Sequence, residues 1–470
     1  MPSEFLRKYS LAILIIFALV FVLISLGSGP LIDSDEAHYA QVFHESWQRG
    51  DFLNFTRLGQ SWFEKPPLYF WLMAGSVAIF GENEFAMRLP TALLAILAIY
   101  LTYLITLRLS NSKKAALLAA VILLTTGAFL DASRQVRMDV PVVASILFGI
   151  FSFLQARGNP KWFLGVGVGV ATGVLFKSVI GFLAIPIILI FCALNKDWAC
   201  VKNKYFWLSG IIAIVLILPW HIYQSVKFGF AFWNNYFGYH ILNRFTEAIL
   251  GNDPGVWFYF KNLFYQSEPW FLVLILLAVY MAIFDRKNIT RSRPEVAIFL
   301  SAAFVFILFS LSKTKLVYYL VPIYPLASIF IAISLDRIKS RLGSPGFGLG
   351  VVGLSLIALV LTSVQIFFPI YFDKVIYPKG VISKYFLAEE ERVIGKKITG
   401  EAMPVYAYAW PYRDTLVYYS GGREIWNFEN DTKIQRPSFI LIPAPIFKAF
   451  KIDKSEVIYH GSLGVLVRVY

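Results

Sequence analysis

Long apolar stretches alternate with short polar ones over roughly the first 370 residues of the chain. Eleven of these stretches approach the length of about 20 residues that a helix needs to cross a bilayer. They begin near Leu11, Leu89, Ala115, Val140, Trp162, Val179, Tyr205, Pro269, Val296, Leu316 and Phe347. The pattern therefore predicts a polytopic α-helical membrane protein with about eleven transmembrane helices.

A further apolar segment, residues 68–80, is too short for a full crossing and is predicted to lie at the membrane interface. With this segment on the surface, the loops rich in lysine and arginine all fall on one side of the membrane. Cytoplasmic loops carry this excess of basic residues. Residues 28–88 then form a first outer loop with juxtamembrane helices, and the polar motifs described below share the outer face.

The pattern changes after about residue 370, where the last long apolar stretch ends. A charged helical segment, 382–398, is followed by short alternating segments, which are typical of half-buried strands. These segments are 405–410, 415–420, 439–443, 457–460 and 465–469. We therefore predict a transmembrane domain over residues 1–370 and an extracytoplasmic α/β domain over residues 371–470.

Composition excludes several classes of protein. The 470 residues are 58% hydrophobic and 15% charged, and the mean hydropathy of +0.64 is too high for a soluble domain. The net charge of +14 falls mostly in short loops, where it faces anionic lipid rather than nucleic acid. Two cysteines, Cys192 and Cys200, exclude a disulfide framework.

Energy-coupled transport has little support in the sequence. The chain has no Walker loop, no dinucleotide-binding glycine pattern and no nucleophile elbow. The apolar stretches are nearly free of ionisable residues, which ion-coupled transporters need near the bilayer midplane. A transporter is therefore the second class of function that we consider.

The first outer loop begins with a polar motif, DSDEAHYA, at residues 33–40. Asp35, His38 and Tyr39 are spaced at i, i+3 and i+4, which places their side chains on one helix face. Such a face suits a polar substrate better than lipid. Asp35 and Glu36 also have an ordinary explanation, because acidic residues are favoured at the start of a helix.

Cationic residues recur at the predicted outer ends of the apolar stretches. Lys65, paired with Glu64 ahead of two prolines, lies at headgroup depth, where an ammonium group neutralises a phosphate. Arg137, Asp139 and Lys177 follow at span ends, and together they suit a phosphate or diphosphate group. The alternatives are a surface ion pair, a helix cap and lysine or arginine side chains that extend to the interface.

A metal site has weak support. Glu64 and His240 are conceivable ligands of a divalent ion, but no spacing along the chain resembles a metal signature. We assign no cofactor, and a divalent metal stays open.

In this order, the polar motifs resemble those of the GT-C superfamily of glycosyltransferases, which use polyprenyl-phosphate sugars. Within it, the chain resembles the lipid A aminoarabinose transferases and the protein O-mannosyltransferases. The motifs are SDEAHYA at 34–40, FEKP at 63–66, RLP at 88–90, RMD at 137–139, KSVIG at 177–181, HILNRF at 240–245 and SKTKLVYY at 312–319. They cover almost the entire predicted membrane region.

The resemblance implies roles for individual residues. Asp35 occupies the catalytic acidic position, Asp139 the second one, and Glu36 accompanies Asp35. Lys65 and Tyr319 match the residues at the donor phosphate. The donor-phosphate set is then Lys65, Arg137, Lys177 and Tyr319, and the substrate-binding or site-shaping set is His38, Tyr39, Glu64, Arg88, His240 and Arg244. Aminoarabinose transferases have arginine in place of His38, which leaves the sugar and the acceptor open.

The implied function is transfer of a sugar from a polyprenyl-phosphate donor, such as an undecaprenyl phosphate, to an envelope acceptor. Lipid A or another envelope glycolipid is the expected acceptor, and the reaction is an inverting single displacement at the outer face. The protein would lie in the inner membrane with its site and C-terminal domain in the periplasm. The alternatives are a protein O-mannosyltransferase and a non-catalytic flippase or transporter of lipid-linked sugars.

Overall fold

The computed structural model describes residues 2–32, 35–249, 255, 257–267, 269–284, 293–342, 345–367, 384–410, 413–428, 434–450, 452 and 454–470. The chain forms two compact units. Unit 1 comprises Met1–Ile24, Phe63–Leu72 and Leu89–Phe367, and unit 2 comprises Ser25–Trp62, Met73–Arg88 and Phe368–Tyr470. The C-terminal residues thus share a unit with two segments of the N-terminal part. The predicted boundary at residue 370 lies outside the described residues.

Helices account for most of the described chain. The N-terminal half contains α1 (Pro2–Leu23), α2 (Asp35–Arg49), α3 (Leu68–Phe80), α4 (Glu84–Ser110), α5 (Lys113–Leu124), α6 (Gly127–Ser133), α7 (Asp139–Ala156), α8 (Phe163–Lys177), α9 (Ala184–Asn195) and α10 (Lys204–Phe228). There follow α11 (Phe230–Trp233), a π-helix (Asn234–Asn243), α12 (Arg244–Thr246), α13 (Phe258–Gln266), α14 (Trp270–Phe284), α15 (Pro294–Leu311), α16 (Ile323–Leu342), α17 (Pro345–Phe367), α18 (Lys384–Ile398) and α19 (Asp414–Tyr419).

The chain is a multi-pass membrane protein. In the described part, five helical segments are long and apolar enough to cross a bilayer: Glu84–Ser110, Asp139–Ala156, Pro160–Asn195, Lys204–Phe228 and Pro294–Leu311. The number rises to seven if each of two bent helix pairs, one of them α5 and α6 with a bend of 68°, forms one span. The predicted eleven crossings exceed this number and stay a prediction. Helix α3 has the bounds predicted for the short interfacial segment.

Small residues set the packing of α8 between its neighbours. A Cβ added to Gly169 would lie 2.8 Å from the backbone nitrogen of Gly149 in α7. One added to Gly167 would lie 2.0 Å from the carbonyl oxygen of Ser209 in α10. Glycine lets helix backbones approach this closely in a membrane, where tight packing replaces the hydrophobic driving force. The contact holds the end of α8, which carries Lys177, beside the start of α7.

Unit 2 contains two sheets. Strands β1 (Thr56–Arg57) and β2 (Gln60–Ser61) form a short antiparallel hairpin. The remaining strands are β3 (Val405–Tyr408), β4 (Ile425–Phe428), β5 (Ser438–Pro443), β6 (Ser455–His460) and β7 (Gly464–Val469). They form a mixed sheet in the order β4-β3-β5-β7-β6, in which β3 runs parallel to β4 and β5 and the other pairs are antiparallel.

The sequence predicted most of this sheet. Strands β3, β5, β6 and β7 confirm the alternating segments, and α18 confirms the charged helix over its described part. Residues 415–420 were wrongly predicted as a strand, because they belong to α19. Leu416 of α19 is fully buried in one apolar cluster with Ile394 of α18 and with Phe439 and Leu441 of β5. The buried face of α19 therefore explains the apolar pattern of this segment. Strand β4 was missed.

Candidate active site

Three cations and a carboxylate meet in unit 1. We call Lys65, Arg137, Asp139 and Lys177 the cation cluster. Asp139 is the first residue of α7 and Lys177 the last of α8. The Lys177 ammonium donates to Asp139 Oδ1, and Arg137 Nε lies 3.5 Å from Asp139 Oδ2. Lys65 interacts electrostatically with both Asp139 and Lys177.

Helix capping does not explain Asp139. The N-cap residue of α7 is Met138, which forms no side-chain cap. The Asp139 carboxylate instead binds Lys177 and faces Arg137. The ordinary explanation for this acid is therefore replaced by an ion-paired cluster of buried side chains.

Glu64 links the cation cluster to a second region of the chain. Glu64 Oε1 lies 2.6 Å from Lys65 Nζ, 3.3 Å from Arg244 Nη2 and 4.0 Å from His240 Nδ1. His240 belongs to the π-helix and Arg244 begins α12. π-Helical turns are rare and are frequent at functional sites, and here one brings two of the predicted residues to Glu64.

Among six described side chains of this region, the cations outnumber the carboxylates. Lys65, Arg137, Lys177 and Arg244 are cationic, and they face the two carboxylates of Glu64 and Asp139. The excess is positive even with His240 neutral. A buried region of this kind favours an anionic group that accepts charge-assisted hydrogen bonds, such as a phosphate.

Two tyrosines border the cation cluster. The guanidinium carbon of Arg137 lies 3.3 Å from the centre of the Tyr318 ring, and Lys177 Nζ lies 5.6 Å from the centre of the Tyr319 ring. Cations on aromatic faces are attracted by the ring quadrupole. Tyr319 was predicted, whereas Tyr318 was not singled out, although its signal was present in the SKTKLVYY motif.

The SKTKLVYY motif is fixed by hydrogen bonds to the segment after the π-helix. The backbone N–H of Thr314 donates to the Arg244 carbonyl at 3.0 Å, and that of Lys313 donates to the Phe245 carbonyl at 2.9 Å. The Ser312 hydroxyl also donates to the Arg244 carbonyl, at 3.0 Å. The structure thus joins two motifs that are distant in sequence and places them near Glu64.

The polar face of α2 lies in unit 2. Asp35 is half-buried at the start of α2, and Tyr39 is buried. Trp62 Nε1–H donates to His38 Nε2 at 2.9 Å, and His38 Nδ1 lies 3.8 Å from Asp414 Oδ2. Because Nε2 accepts a hydrogen bond, a neutral His38 carries its proton on Nδ1, towards Asp414.

Asp414 was missed by the sequence prediction. Its burial raises the pKa of the carboxyl group, but the neighbouring His38 and the charge of Arg57 outweigh burial and hold the pKa below its usual range. Asp414 is therefore an anion that orients His38 and pairs with Arg57. No local signal indicated this residue, because it begins α19, far along the chain from α2.

Glu36 and Arg88 form a buried structural pair in unit 2. Their exposed fractions are 1% and 5%. Arg88 Nε lies 2.7 Å from Glu36 Oε1 and Nη2 2.9 Å from Oε2, and Oε2 also accepts from the Ile32 N–H. Arg88 donates further to the carbonyls of Leu26, Gly29 and Pro30. These contacts hold the segment before α2, so the geometry favours a structural role for Glu36 over the catalytic one.

Replacing Glu36 by glutamine is expected to destabilise the protein by roughly 3 to 5 kcal/mol, because it leaves the Arg88 charge buried without a counter-charge. The measurement is the melting temperature of the purified protein in detergent. The control is Asp197→Asn, which breaks the exposed pair of Asp197 and Arg157 and is expected to cost about 0 to 1 kcal/mol. Equal melting temperatures for the two variants would contradict the structural role.

Glu64 and His240 remain the two candidate metal ligands. Among the described residues, no group of three or more His, Cys, Asp and Glu side chains is placed to hold a metal ion. Catalytic zinc sites usually have three protein ligands, and Glu64 is already shared by Lys65 and Arg244. A divalent metal held by Glu64 and His240 therefore stays a hypothesis.

The chain resembles known proteins over most of its length. A family model for dolichyl-phosphate-mannose-protein mannosyltransferases matches residues 64–223, which include the whole cation cluster. An undecaprenyl phosphate-alpha-4-amino-4-deoxy-L-arabinose arabinosyl transferase of Pseudomonas fluorescens is 28% identical over 350 residues, which are 72% of this chain. The aligned part spans only 58% of that relative.

The fold comparison covers more of the chain. The crystal structure of ArnT from Cupriavidus metallidurans bound to undecaprenyl phosphate has a TM-score of 0.73 and 19% identity, and the match covers 97% of each chain. The chain therefore has the GT-C fold. An archaeal oligosaccharyltransferase, AglB from Archaeoglobus fulgidus, has the same fold, with a TM-score of 0.58 and 13% identity over 94% of this chain and 70% of that one. The GT-C fold thus extends over both units.

Proposed function

We propose that the chain is a GT-C glycosyltransferase that moves a sugar from an undecaprenyl-phosphate-type donor to lipid A or a related envelope glycolipid. The observation that carries this proposal is the buried cation cluster with its excess of positive charge. The names of the relatives support the donor and the enzyme class, and the matched crystal structure contains undecaprenyl phosphate.

In the proposed reaction, an acceptor oxygen attacks the anomeric carbon of the sugar, and the bond to the lipid phosphate breaks. The electron pair of that bond leaves with the phosphate, whose negative charge rises in the transition state. Fixed cations around the leaving oxygen, supplied by Lys65, Arg137 and Lys177, stabilise this charge through short charge-assisted hydrogen bonds. A single displacement inverts the anomeric centre.

Asp35 acts on the acceptor in this proposal. A hydroxyl is a poor nucleophile at neutral pH, and a carboxylate within hydrogen-bond reach accepts its proton as the bond forms. An acceptor phosphate is already anionic and needs positioning instead. Asp414 and Trp62 hold the His38 ring in one orientation, so we infer that His38 positions the acceptor without exchanging a proton with it.

We also propose the finer topology. The protein would cross the inner membrane eleven times, with the motifs and the C-terminal sheet of unit 2 on the periplasmic side. The distribution of basic residues in the loops supports this orientation. Because the lipid phosphate is the leaving group in this reaction, no nucleotide would be needed on the periplasmic side.

The direct test is mass spectrometry of lipid A and other envelope glycolipids from cells that express the chain and from cells with an empty vector. We expect an added sugar on one glycolipid only when the chain is expressed. The mass difference identifies the sugar, and fragmentation identifies the acceptor. Identical glycolipids in both cultures would contradict the proposed acceptor.

A protein acceptor is the second candidate, because the matched family model describes protein mannosyltransferases. His38, where aminoarabinose transferases have arginine, is the residue of this chain that departs from the first candidate. Glycopeptide mass spectrometry on the same two cultures distinguishes the candidates. A sugar on envelope proteins with unchanged glycolipids favours the second one.

A further inference from the structure

A polar cavity of about 350 Å³ lies within unit 2. Its walls come from α2, from the β1–β2 hairpin and from the turn after α19. The residues that α2 contributes include Gln41, His44, Glu45 and Gln48, which the i, i+3, i+4, i+7 spacing places on one face. None of Asp35, His38 and Tyr39 lines the cavity, so it is separate from the polar cluster around His38 described above.

One wall of the cavity holds a buried acceptor atom without a partner. Gln41 is 1% exposed, and its Nε2 donates to Glu45 Oε1 at 3.0 Å. An ionised carboxylate only accepts hydrogen bonds, so the amide nitrogen must face Glu45. Within the described part of the chain, Gln41 Oε1 then has no hydrogen-bond partner. Buried polar atoms in native proteins are normally satisfied, so this atom points to a ligand that donates a hydrogen bond.

The part of the cavity around Gln41 is preorganised by hydrogen bonds. Glu45 accepts from the Thr56 hydroxyl at 2.6 Å and from the backbone N–H groups of Leu58 at 2.6 Å and Gly59 at 3.3 Å. The carboxylate therefore ties the hairpin to α2 and fixes the position of Gln41. A binding site that is already ordered loses less conformational freedom on binding.

The charges of the cavity disfavour an anion. A phosphate would lie beside the Glu45 carboxylate and the Gln41 Oε1 acceptor. The two basic side chains of the lining, Arg49 and His44, already have partners. Arg49 donates to the carbonyls of Glu45 at 3.2 Å and Asn54 at 2.8 Å, and His44 Nδ1 lies 2.6 Å from Glu82 Oε1. A neutral molecule with hydroxyl donors satisfies the open acceptor without this repulsion.

Three glycines also line the cavity. Gly59, Gly421 and Gly422 line the cavity, and all three have positive φ, between +73° and +80°. A Cβ on Gly422 would lie 2.6 Å from Gln41 Nε2, so a side chain there would displace the amide. The cavity volume of about 350 Å³ lies at the lower end of the range of small-molecule sites, about 300 to 1,000 Å³.

We propose that this cavity is a binding site for a neutral, hydroxyl-bearing sugar ring, which donates a hydrogen bond to Gln41 Oε1. The assignment of that ring to the acceptor rests on the proposed function, whereas sugar binding itself does not. The cavity would then hold a ring of the acceptor glycan outside the reacting centre and select acceptors by their sugar part.

The test is saturation-transfer NMR on the full-length protein in detergent, with N-acetyl-D-glucosamine and D-glucose as probes and inorganic phosphate as the anionic comparison. We expect the wild-type protein to transfer saturation to at least one sugar. Added phosphate is expected not to displace that sugar. Gln41→Leu removes the acceptor atom with little change in volume and is expected to weaken sugar binding about tenfold. Gln48→Trp, at the exposed rim, fills the opening and is expected to abolish binding.

The matched control is Gln60→Leu, which changes an exposed glutamine of the same hairpin that does not line the cavity. It is expected to bind like wild type. Absence of transfer to either sugar in wild type, displacement of the sugar by phosphate, or unchanged binding in both Gln41→Leu and Gln48→Trp would each overturn the site. Because Gln48→Trp alters a rim residue, it tests the site even if Gln41→Leu fails to fold.

The two proposals fail separately. If sugar binding depends on Gln41 but no glycosyl transfer occurs, the proposed function is wrong and the sugar site stands. If transfer occurs and the acceptor KM is the same in wild type and Gln48→Trp, the assignment of the bound ring to the acceptor is wrong and the function stands. A raised acceptor KM with an unchanged donor KM in Gln48→Trp would support both.

Discussion

Asp35→Asn is expected to lower the turnover of glycosyl transfer by about 10²- to 10⁴-fold, the range that a positioned general base contributes. The substitution keeps the size and the hydrogen-bonding shape of a side chain that is half-buried at the start of α2. It removes the negative charge that accepts the proton of the acceptor hydroxyl. Turnover is measured with purified protein and a polyprenyl-phosphate sugar, and donor binding is expected to stay unchanged.

The control for Asp35→Asn is Glu424→Gln, which neutralises an exposed acid in the same unit. Its turnover is expected to match wild type. A loss in Asp35→Asn that comes with a lower melting temperature would report misfolding instead, so both variants are melted first. Near-normal turnover of a folded Asp35→Asn protein would remove Asp35 from the reaction.

Lys65→Gln is expected to lower turnover by about 10²- to 10³-fold. Removal of one fixed group that stabilises developing charge in a transition state has an effect of this size. Lys65 is buried, and its Nζ lies 2.6 Å from Glu64. Without the ammonium, Arg137 and Lys177 are left to hold the leaving phosphate in the proposed reaction, and the carboxylate of Glu64 loses its nearest described basic neighbour. The effect is expected in kcat more than in the donor KM, since the phosphate gains charge only as the bond breaks.

The matched control is Lys113→Gln, which changes an exposed lysine at the start of α5. The same loss of charge at that position is expected to leave kcat within twofold. If both variants lose activity equally, the effect arises from net charge and not from the cation cluster. If Lys65→Gln raises only the donor KM, Lys65 binds the donor without stabilising the leaving group.

The cation cluster could be predicted because its members stand at the ends of apolar segments. The outer end of a span is fixed by where hydrophobicity stops, so Asp139 and Lys177 were both expected at the same membrane face. The structure places the first at the start of α7 and the second at the end of α8, in direct contact. The spacing could not show that Asp139 pairs with Lys177 more closely than with Arg137.

The surroundings of His38 could not be predicted. His38 was found from its spacing on α2, but Asp414 begins α19 and stands just before the segment that was predicted as a strand. Pairing between such distant positions depends on the tertiary packing of unit 2, which hydrophobic periodicity does not report. The role of Glu36 could not be predicted either. Its position next to Asp35 gave no sign that Arg88 forms a bidentate ion pair with its carboxylate.

The carboxylates of Glu64 and Asp139 bear on the end of the reaction as well as its beginning. In the proposed reaction, each carboxylate occupies a cation that the donor phosphate would need, so the phosphate would have to displace an internal competitor when it binds. The same competitor returns when the spent carrier lipid leaves. An uncompensated group of cations would hold that product, which carries more charge than the substrate, and the enzyme would stall. In the proposed reaction, the internal salt bridges would thus lower the affinity for the donor and speed the release of the product, which permits repeated turnover.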